Sequence, residues 1–142
     1  MADHETIVGF QLAMALETED MQLDEAMLSK GVEAVLTDPQ KGTYFVTEDE
    51  GEVIACLSIT YEWSDWRNGM VWWIQSVYVS PSHRGKSVYG KMYQHLQEQV
   101  KADPALRGIR LYVDKRNRRA ARVYEKYGMD GEHYQLYEWL KR

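Results

Sequence analysis

The strongest constraint on the fold is a strand pattern, a basic turn and a helix pattern that follow one another across residues 71–93, VWWIQSVYVSPSHRGKSVYGKMY. Most of the first nine residues are β-branched or aromatic, and Pro81 ends the strand that they predict. Val88, Met92 and Leu96 then share one side of a predicted helix. A loop between a strand end and a helix start exposes backbone N–H groups and the positive end of the helix dipole. The pattern therefore predicts an anion site.

The charge balance refines that prediction. The chain has 142 residues, 17 Lys and Arg against 22 Asp and Glu, and a net charge of −5. Arg84 and Lys86 nevertheless both lie in the loop, which favours a phosphorylated ligand there. An acidic chain is not typical of a general nucleic-acid binder, so we expect no nucleic-acid partner.

Length and cysteine content narrow the class of protein. A chain of this length predicts a single domain over residues 1–142. Cys56 is the only cysteine and lies in an apolar run, so we expect it to be buried packing rather than a nucleophile. No apolar run has the length of a membrane span and no signal peptide is indicated, so a cytoplasmic protein with no membrane partner is expected. The four histidines show no metal-ligand spacing, and no metal site is predicted.

The rest of the chain predicts an α/β architecture. We expect helices at residues 3–17, 24–36, 88–101 and 118–127, and strands at residues 43–47, 53–61, 70–79, 109–113 and 134–140. The order ααβββαβαβ predicts a mixed antiparallel and parallel sheet with helices on both faces.

A second candidate motif is DKRNRRAARVYEKYG at residues 114–128. Asn117 is a suitable N-cap for the predicted helix, and Tyr124 follows two helical turns later, so both can face one groove. Five basic residues lie close by, and two interpretations stay open for them: a solvated helix face or a basic rim that meets further phosphate. They are Lys115, Arg116, Arg118, Arg119 and Arg122.

Together these two segments resemble the GCN5-related N-acetyltransferase (GNAT) superfamily over residues 43–140. The family's pyrophosphate loop reads Gln/Arg-x-x-Gly-x-Gly/Ala; Arg84 matches it, whereas Ser87 and Tyr89 stand at its two small positions. The later family motif is matched by Asn117, Ala120, Ala121, Tyr124, Glu125, Lys126 and Gly128. The resemblance implies a GNAT-like acyl-CoA N-acyltransferase fold whose first strand is missing. A homodimer that covers the resulting edge stays open.

The resemblance also implies acetyl-CoA as a cosubstrate, with no metal. It would lie in a V-shaped opening between strands 70–79 and 109–113, with its pantetheine arm bonded to the backbone of Val77, Tyr78 and Val79. The pyrophosphate and neighbouring groups would be held by Arg84, Gly85, Lys86, Ser87, Val88, Tyr89, Gly90 and Asn117.

In such a reaction an amine attacks the thioester directly, without an acyl-enzyme. Tyr124 matches the family position that protonates the departing thiolate; the alternative is a tyrosine that only packs on the sheet. Glu62 is the first candidate for the general base, and the oxyanion donor is expected near Val77. Further candidates for the base, or for ordering a water, are Asp65, Gln75, Glu17 and Glu19.

Aromatic residues suggest the kind of acceptor. Four tryptophans fall within eleven residues, and beside these carboxylates they suit a cationic amine with an apolar body: Trp63, Trp66, Trp72 and Trp73. The predicted function is acetyl transfer to a primary amine of a small molecule or a protein. The alternative is an acyl-CoA-binding module without catalysis.

Overall fold

The structure is a computed structural model that describes residues 2–141. Its elements follow the predicted order as far as the fourth helix: α1 His4–Glu19, α2 Glu25–Thr37, β1 Thr43–Asp49, β2 Glu52–Ser64, β3 Gly69–Val79, a 3₁₀ turn Pro81–His83, α3 Val88–Ala102, β4 Leu106–Arg110 and α4 Arg118–Lys126. The chain divides into two compact units, Met1–Arg110 and Leu111–Arg142.

One strand prediction was wrong in its bounds, and another was wrong altogether. The strand expected at residues 109–113 begins earlier and ends at Arg110. It follows directly on a turn after α3, in which the Asp103 side chain accepts from the Ala105 N–H and the Asp103 carbonyl accepts from the Leu106 N–H. The strand expected at residues 134–140 is absent from the described chain, where this segment is irregular and exposed. A strand needs a hydrogen-bonded neighbour, and alternating side chains alone do not supply one.

The first unit contains a mixed four-stranded sheet in the order β1-β2-β3-β4. The first three strands are antiparallel, and β4 is parallel to β3 across the α3 connection. This confirms the predicted mixed sheet. No strand precedes α1 within residues 2–141, and β1 lies at one edge of the sheet.

Helices cover both faces of this sheet, as predicted. Cys56 is the register partner of Val46 and Tyr78, so all three side chains share one face. Phe10 of α1 packs there, 5.1 Å from Tyr78 between ring centroids. The opposite face carries Phe45, whose ring lies 6.2 Å from that of His95 in α3.

Strand β2 is the centre of the core, since it has a strand on each side and a helix layer over each face. Ala55, Cys56, Leu57 and Ile59 are fully buried. Burial raises the pKa of the Cys56 thiol to about 12, which keeps it neutral at physiological pH. The prediction that Cys56 is buried in the core is therefore confirmed.

Strand β3 contains a bulge and then continues without β4. Cys56 pairs with Tyr78 but Ser58 pairs with Gln75, so β3 holds one residue more than β2 over this stretch. Ser76 in the bulge has a left-handed φ of 47°. Pairing between β3 and β4 ends at Trp73 with Arg110, so the last six residues of β3 are paired on the β2 side only.

Candidate functional site

The predicted anion loop forms a sharp turn between β3 and α3. After the Pro81–His83 turn, Gly85 and Ser87 adopt left-handed φ values of 79° and 60°, and α3 begins at Val88. Glycine takes this conformation readily, whereas serine is strained in it. The turn joins the end of β3, which contains Val77, Tyr78 and Val79, to the first turn of α3, which contains Val88, Tyr89 and Gly90.

The first turn of α3 has the properties of an anion site. Its first i to i−4 bond runs from the Lys91 N–H to the Ser87 carbonyl, at 3.1 Å. The N–H groups of Val88 and Gly90 precede that bond, in the first turn of the helix, where a backbone amide has no carbonyl four residues earlier in the helix to donate to. The Ser87 side chain makes no capping bond to them. These amides and the dipole of a 15-residue helix favour a negative charge at this point.

Arg84 is held in place by three contacts within the first unit. Its Nε donates to the Val79 carbonyl at 2.9 Å, its Nη2 donates to Glu17 Oε2 at 2.8 Å, and its guanidinium carbon lies 5.3 Å from the centre of the Tyr78 ring. The sequence did not reveal the pair with Glu17, because 67 residues separate the two. Glu17 is thus placed beside the anion loop, which makes it a poor candidate for the base.

Tyr89, the larger of the two departures from the family pattern, packs along α3. Its ring lies 6.3 Å from that of Tyr93, with an angle of 28° between the ring planes. Tyr93 is one turn further on and buried. The bulk at this position is therefore directed along the helix.

Glu62 lies in a second polar cluster, which spans three strands. Its Oε1 accepts from Trp73 Nε1 at 2.9 Å and from Arg110 Nη1 at 2.7 Å. Trp73 and Arg110 are register partners across β3 and β4, which brings both donors to one carboxylate. The sequence did not predict these two donors, because the sequence of one strand does not determine its register with a parallel neighbour.

The pKa of Glu62 lies below the usual range of a glutamate. The Trp73 indole hydrogen bond is the largest cause, and the bond and charge of Arg110 and the charge of Arg67 add to it. Desolvation opposes this shift. Glu62 is therefore ionised over the physiological pH range and available as an anion.

The other candidates for the base have different surroundings. Gln75 Nε2 donates to Thr60 Oγ1 at 3.2 Å, on the same face of the sheet as Glu62. Asp65 lies in the turn after β2, and Glu19 is exposed in the last turn of α1. Glu62 is thus the carboxylate that β3 and β4 side chains hold directly.

The four tryptophans do not form one cluster. Trp72 lies 6.1 Å from Phe45 between ring centroids, on the face that α3 covers. Trp73 points to the other face, beside Glu62, as strand alternation requires. Trp63 and Trp66 are 60% and 89% exposed. Of the four, Trp73 contacts Glu62.

The second unit contains the later motif. The Asn117 side-chain oxygen accepts from the Ala120 N–H at 3.1 Å, which confirms the predicted N-cap of α4. Gly128, with a φ of 86°, follows the helix end. Tyr124 is partly buried, whereas the five basic residues of the motif are exposed. Among them Arg116 pairs with Asp114 at 2.7 Å and holds the pKa of that carboxyl well below its usual range.

Other classes of site are not evident in residues 2–141. No three His, Cys, Asp or Glu side chains are grouped as metal ligands, and no described helix is long and apolar enough to cross a membrane. An open depression near Trp72, Gln99 and Pro104 lies at the C-terminal end of α3, about 20 Å along the helix from the anion loop.

Comparison with known proteins identifies relatives of the whole chain. Residues 8–129 match the sequence profile of the acetyltransferase (GNAT) family. A possible acetyltransferase from Clostridium difficile 630 is 40% identical, with 99% of this chain and 93% of that chain covered and a TM-score of 0.93. A comparison with curated proteins found no match.

Two more distant solved structures share the fold. A predicted acetyltransferase with acetyl-CoA from Clostridium acetobutylicum is 21% identical, with 96% of this chain and 90% of that chain covered and a TM-score of 0.72. Glucosamine-6-phosphate N-acetyltransferase from Arabidopsis thaliana is 22% identical, with coverage of 96% and 92% and a TM-score of 0.70.

The strain at Ser87 gives a first prediction. Ser87→Gly should raise the free energy of unfolding by about 1 kcal/mol, since glycine relieves the left-handed φ and no capping bond is lost. Thermal unfolding should shift upward by about 3 °C. Ser80→Gly is the matched control, because Ser80 has a φ of −53° and glycine there should only destabilise. A lower unfolding temperature for Ser87→Gly would contradict the strain.

The contacts of Glu62 give a second prediction. The Trp73 indole N–H signal, followed by NMR against pH, should report a Glu62 pKa below the ordinary value of about 4.3. Because the folded pKa is lowered, the stability that these contacts contribute is complete above about pH 4.3 and is lost as the pH falls through the folded pKa. Arg110→Met should move this midpoint upward, whereas Arg107→Met, at an exposed neighbour in β4, should not. An unchanged midpoint in Arg110→Met would remove Arg110 as a cause.

Proposed function

We propose that this chain, which belongs to the GNAT acetyltransferase family, transfers the acetyl group of acetyl-CoA to a primary amine of a small molecule or a protein. The observation that carries the proposal is that three features follow one another directly along the chain. The unpaired edge of β3 leads into the left-handed turn at Gly85 and Ser87, and the turn leads into the first amides of α3. The matched family region includes residues of both units, which supports one functional domain over residues 1–142.

The residues of the first unit fit an acyl-CoA. The backbone of Val77, Tyr78 and Val79 lies on the edge of β3 that β4 leaves unpaired, so it can bond an extended pantetheine arm as a strand would. The amides from Gly85 to Gly90 would hold the pyrophosphate, with Lys86 adding charge. Arg84 would stabilise the turn through Val79 and present its remaining N–H groups. Asn117, which caps α4, completes the predicted cofactor-binding set.

The chemistry requires two proton transfers. Acetyl-CoA supplies an activated acyl group as a thioester; the amine nitrogen forms a bond to the carbonyl carbon, and the carbon–sulfur bond breaks. Glu62 accepts a proton from the amine, and Tyr124 donates one to the departing thiolate. The backbone N–H near Val77 stabilises the negative charge that develops on the carbonyl oxygen.

Two observations favour Glu62 for the first transfer. It is ionised, and Trp73 and Arg110 hold it in position by donating to its Oε1. Its lowered pKa makes it a weak base, which suits a role in binding the ammonium and then receiving one of its protons, so that the neutral amine can form the carbon–nitrogen bond. The flat face of Trp73 beside it provides an apolar and cation-binding surface for the amine.

Thermal shift with acetyl-CoA, followed by a thiol-release assay over a panel of amines, tests the function. We expect stabilisation by acetyl-CoA that free acetate does not give, and CoA release that depends on an amine. Stabilisation without release on any amine, small or peptidic, would favour the non-catalytic acyl-CoA-binding module, to which the departures at Ser87 and Tyr89 point. Absence of stabilisation would contradict both.

The catalytic assignments are tested by paired variants. Tyr124→Phe should lower kcat by roughly 100-fold or more, in the usual range for a general acid, and leave acetyl-CoA affinity unchanged. Tyr127→Phe is the matched control on the same unit. Glu62→Gln should lower kcat similarly and flatten its pH dependence, whereas Glu52→Gln, exposed at the other end of β2, should not. Near-normal turnover across pH in Glu62→Gln would remove Glu62 as the base.

A further inference from the structure

The bulge in β3 reverses the direction of the backbone groups that follow it. In a regular strand the backbone groups of successive residues point alternately to the two edges, so residues an even number of positions apart face the same edge. The Met70 N–H donates to the Ala105 carbonyl, on the β4 side, at 2.9 Å. The Ser80 N–H donates to the Ile54 carbonyl of β2 at 2.8 Å. Met70 and Ser80 therefore face opposite edges, although an even number of positions separates them.

This reversal decides which backbone groups of β3 reach its open edge. Counting back from Ser80, Val79 and Val77 face the edge that β4 leaves unpaired. The Val79 carbonyl supports this direction, since it accepts a hydrogen bond from the Arg84 side chain, which lies outside the ladder between β2 and β3. Without the bulge, the alternation that begins at Met70 would turn Val77 toward β2. The outward direction of the Val77 N–H therefore depends on the bulge.

The bulge is a strained conformation. Ser76 has a left-handed φ of 47°, which is unfavourable for a residue with a side chain. Ser76 and Val77 together lie opposite Leu57, where a regular ladder would place one residue. Such a conformation persists only where the surrounding contacts determine it.

Ser58 of β2 supplies one of these contacts. Its Oγ donates to the Gln75 carbonyl at 3.3 Å, directly before the bulge. Ser58 is only 8% exposed, so this bond is stronger than it would be in water and restricts the carbonyl. The Gln75 side chain in turn donates to Thr60 Oγ1 at 3.2 Å. Gln75 is thus fixed to β2 through both its backbone and its side chain.

We propose that Ser58 is a positioning residue for acetyl transfer: it holds the Gln75 carbonyl and so maintains the bulge that directs the Val77 N–H toward the acyl carbonyl oxygen. This inference rests on the proposed function, in which that N–H stabilises the negative charge that develops on the oxygen. Ser58 acts through the backbone of β3. Loss of its hydroxyl should therefore slow the step in which that charge develops more than it weakens binding of the CoA moiety.

Steady-state kinetics of Ser58→Ala test the role in transfer. We expect kcat to fall about 5-fold or more, less than the roughly 100-fold cost of removing an oxyanion donor outright, while the KM for acetyl-CoA changes less than about 2-fold. Ser64→Ala is the matched control, because Ser64 lies in the same strand, is also 8% exposed and also makes a side-chain hydrogen bond, to Arg67. Its kcat should stay at the unmodified level. An equal fall in both variants, or no fall in Ser58→Ala, would overturn the proposal.

NMR of the amides in the free protein tests the structural step and needs no turnover. The Ser76 and Val77 amide signals should shift or broaden in Ser58→Ala and stay in place in Ser64→Ala. Unmoved signals in Ser58→Ala would overturn the proposal whatever the activity. A chain whose signals move but which transfers no acetyl group to any amine would overturn the role in transfer because the proposed function fails, and not because Ser58 fails to hold the bulge.

Discussion

The proposed site depends on the point at which β3 loses its parallel partner. Buried backbone N–H and C=O groups need hydrogen-bond partners. A strand edge with no neighbouring strand is therefore a place where a ligand can supply those partners. Here β4 pairs with β3 only as far as Trp73 and Arg110, while the antiparallel ladder with β2 continues to Val79. The bulge at Ser76 lies in the stretch that β4 leaves unpaired. An extended ligand can therefore complete the sheet where the protein does not.

Two ion pairs fix the positions of charged side chains in the first unit, although the chain as a whole is acidic. Arg84 meets Glu17, and Arg110 meets Glu62. Both pairs are partly exposed, so each contributes little to stability and more to the orientation of its side chains. Glu17 fixes an arginine of the anion loop, whereas Arg110 and Trp73 fix a carboxylate on the strands. One ion pair thus positions an arginine in the anion loop, and the other positions an ionised carboxylate on the sheet.

The sequence predicted the elements whose signals are local. The hydrophobic stripe of α3, the cap at Asn117 and the turn at Gly85 each depend on residues close together in the chain, and all three appear in the structure. The sequence could not predict which residues that lie far apart in the chain contact one another. The Glu62 cluster joins residues 48 positions apart, and the early end of β4 depends on its partner strand. The segment at residues 134–140 has the composition of a strand, but a strand forms only where another lies beside it.

The anion loop shows how a departure from a family pattern can be accommodated without losing the site. Glycine would be relaxed at position 87, yet serine holds the same left-handed conformation at some cost in strain. Three contacts to Arg84 and the packing of Tyr89 on Tyr93 hold the surrounding turn, so the conformation does not depend on glycine alone. A turn fixed before its ligand arrives loses little conformational entropy on binding. Binding of an anion at this helix terminus therefore depends on the backbone conformation of the turn rather than on small residues at positions 87 and 89.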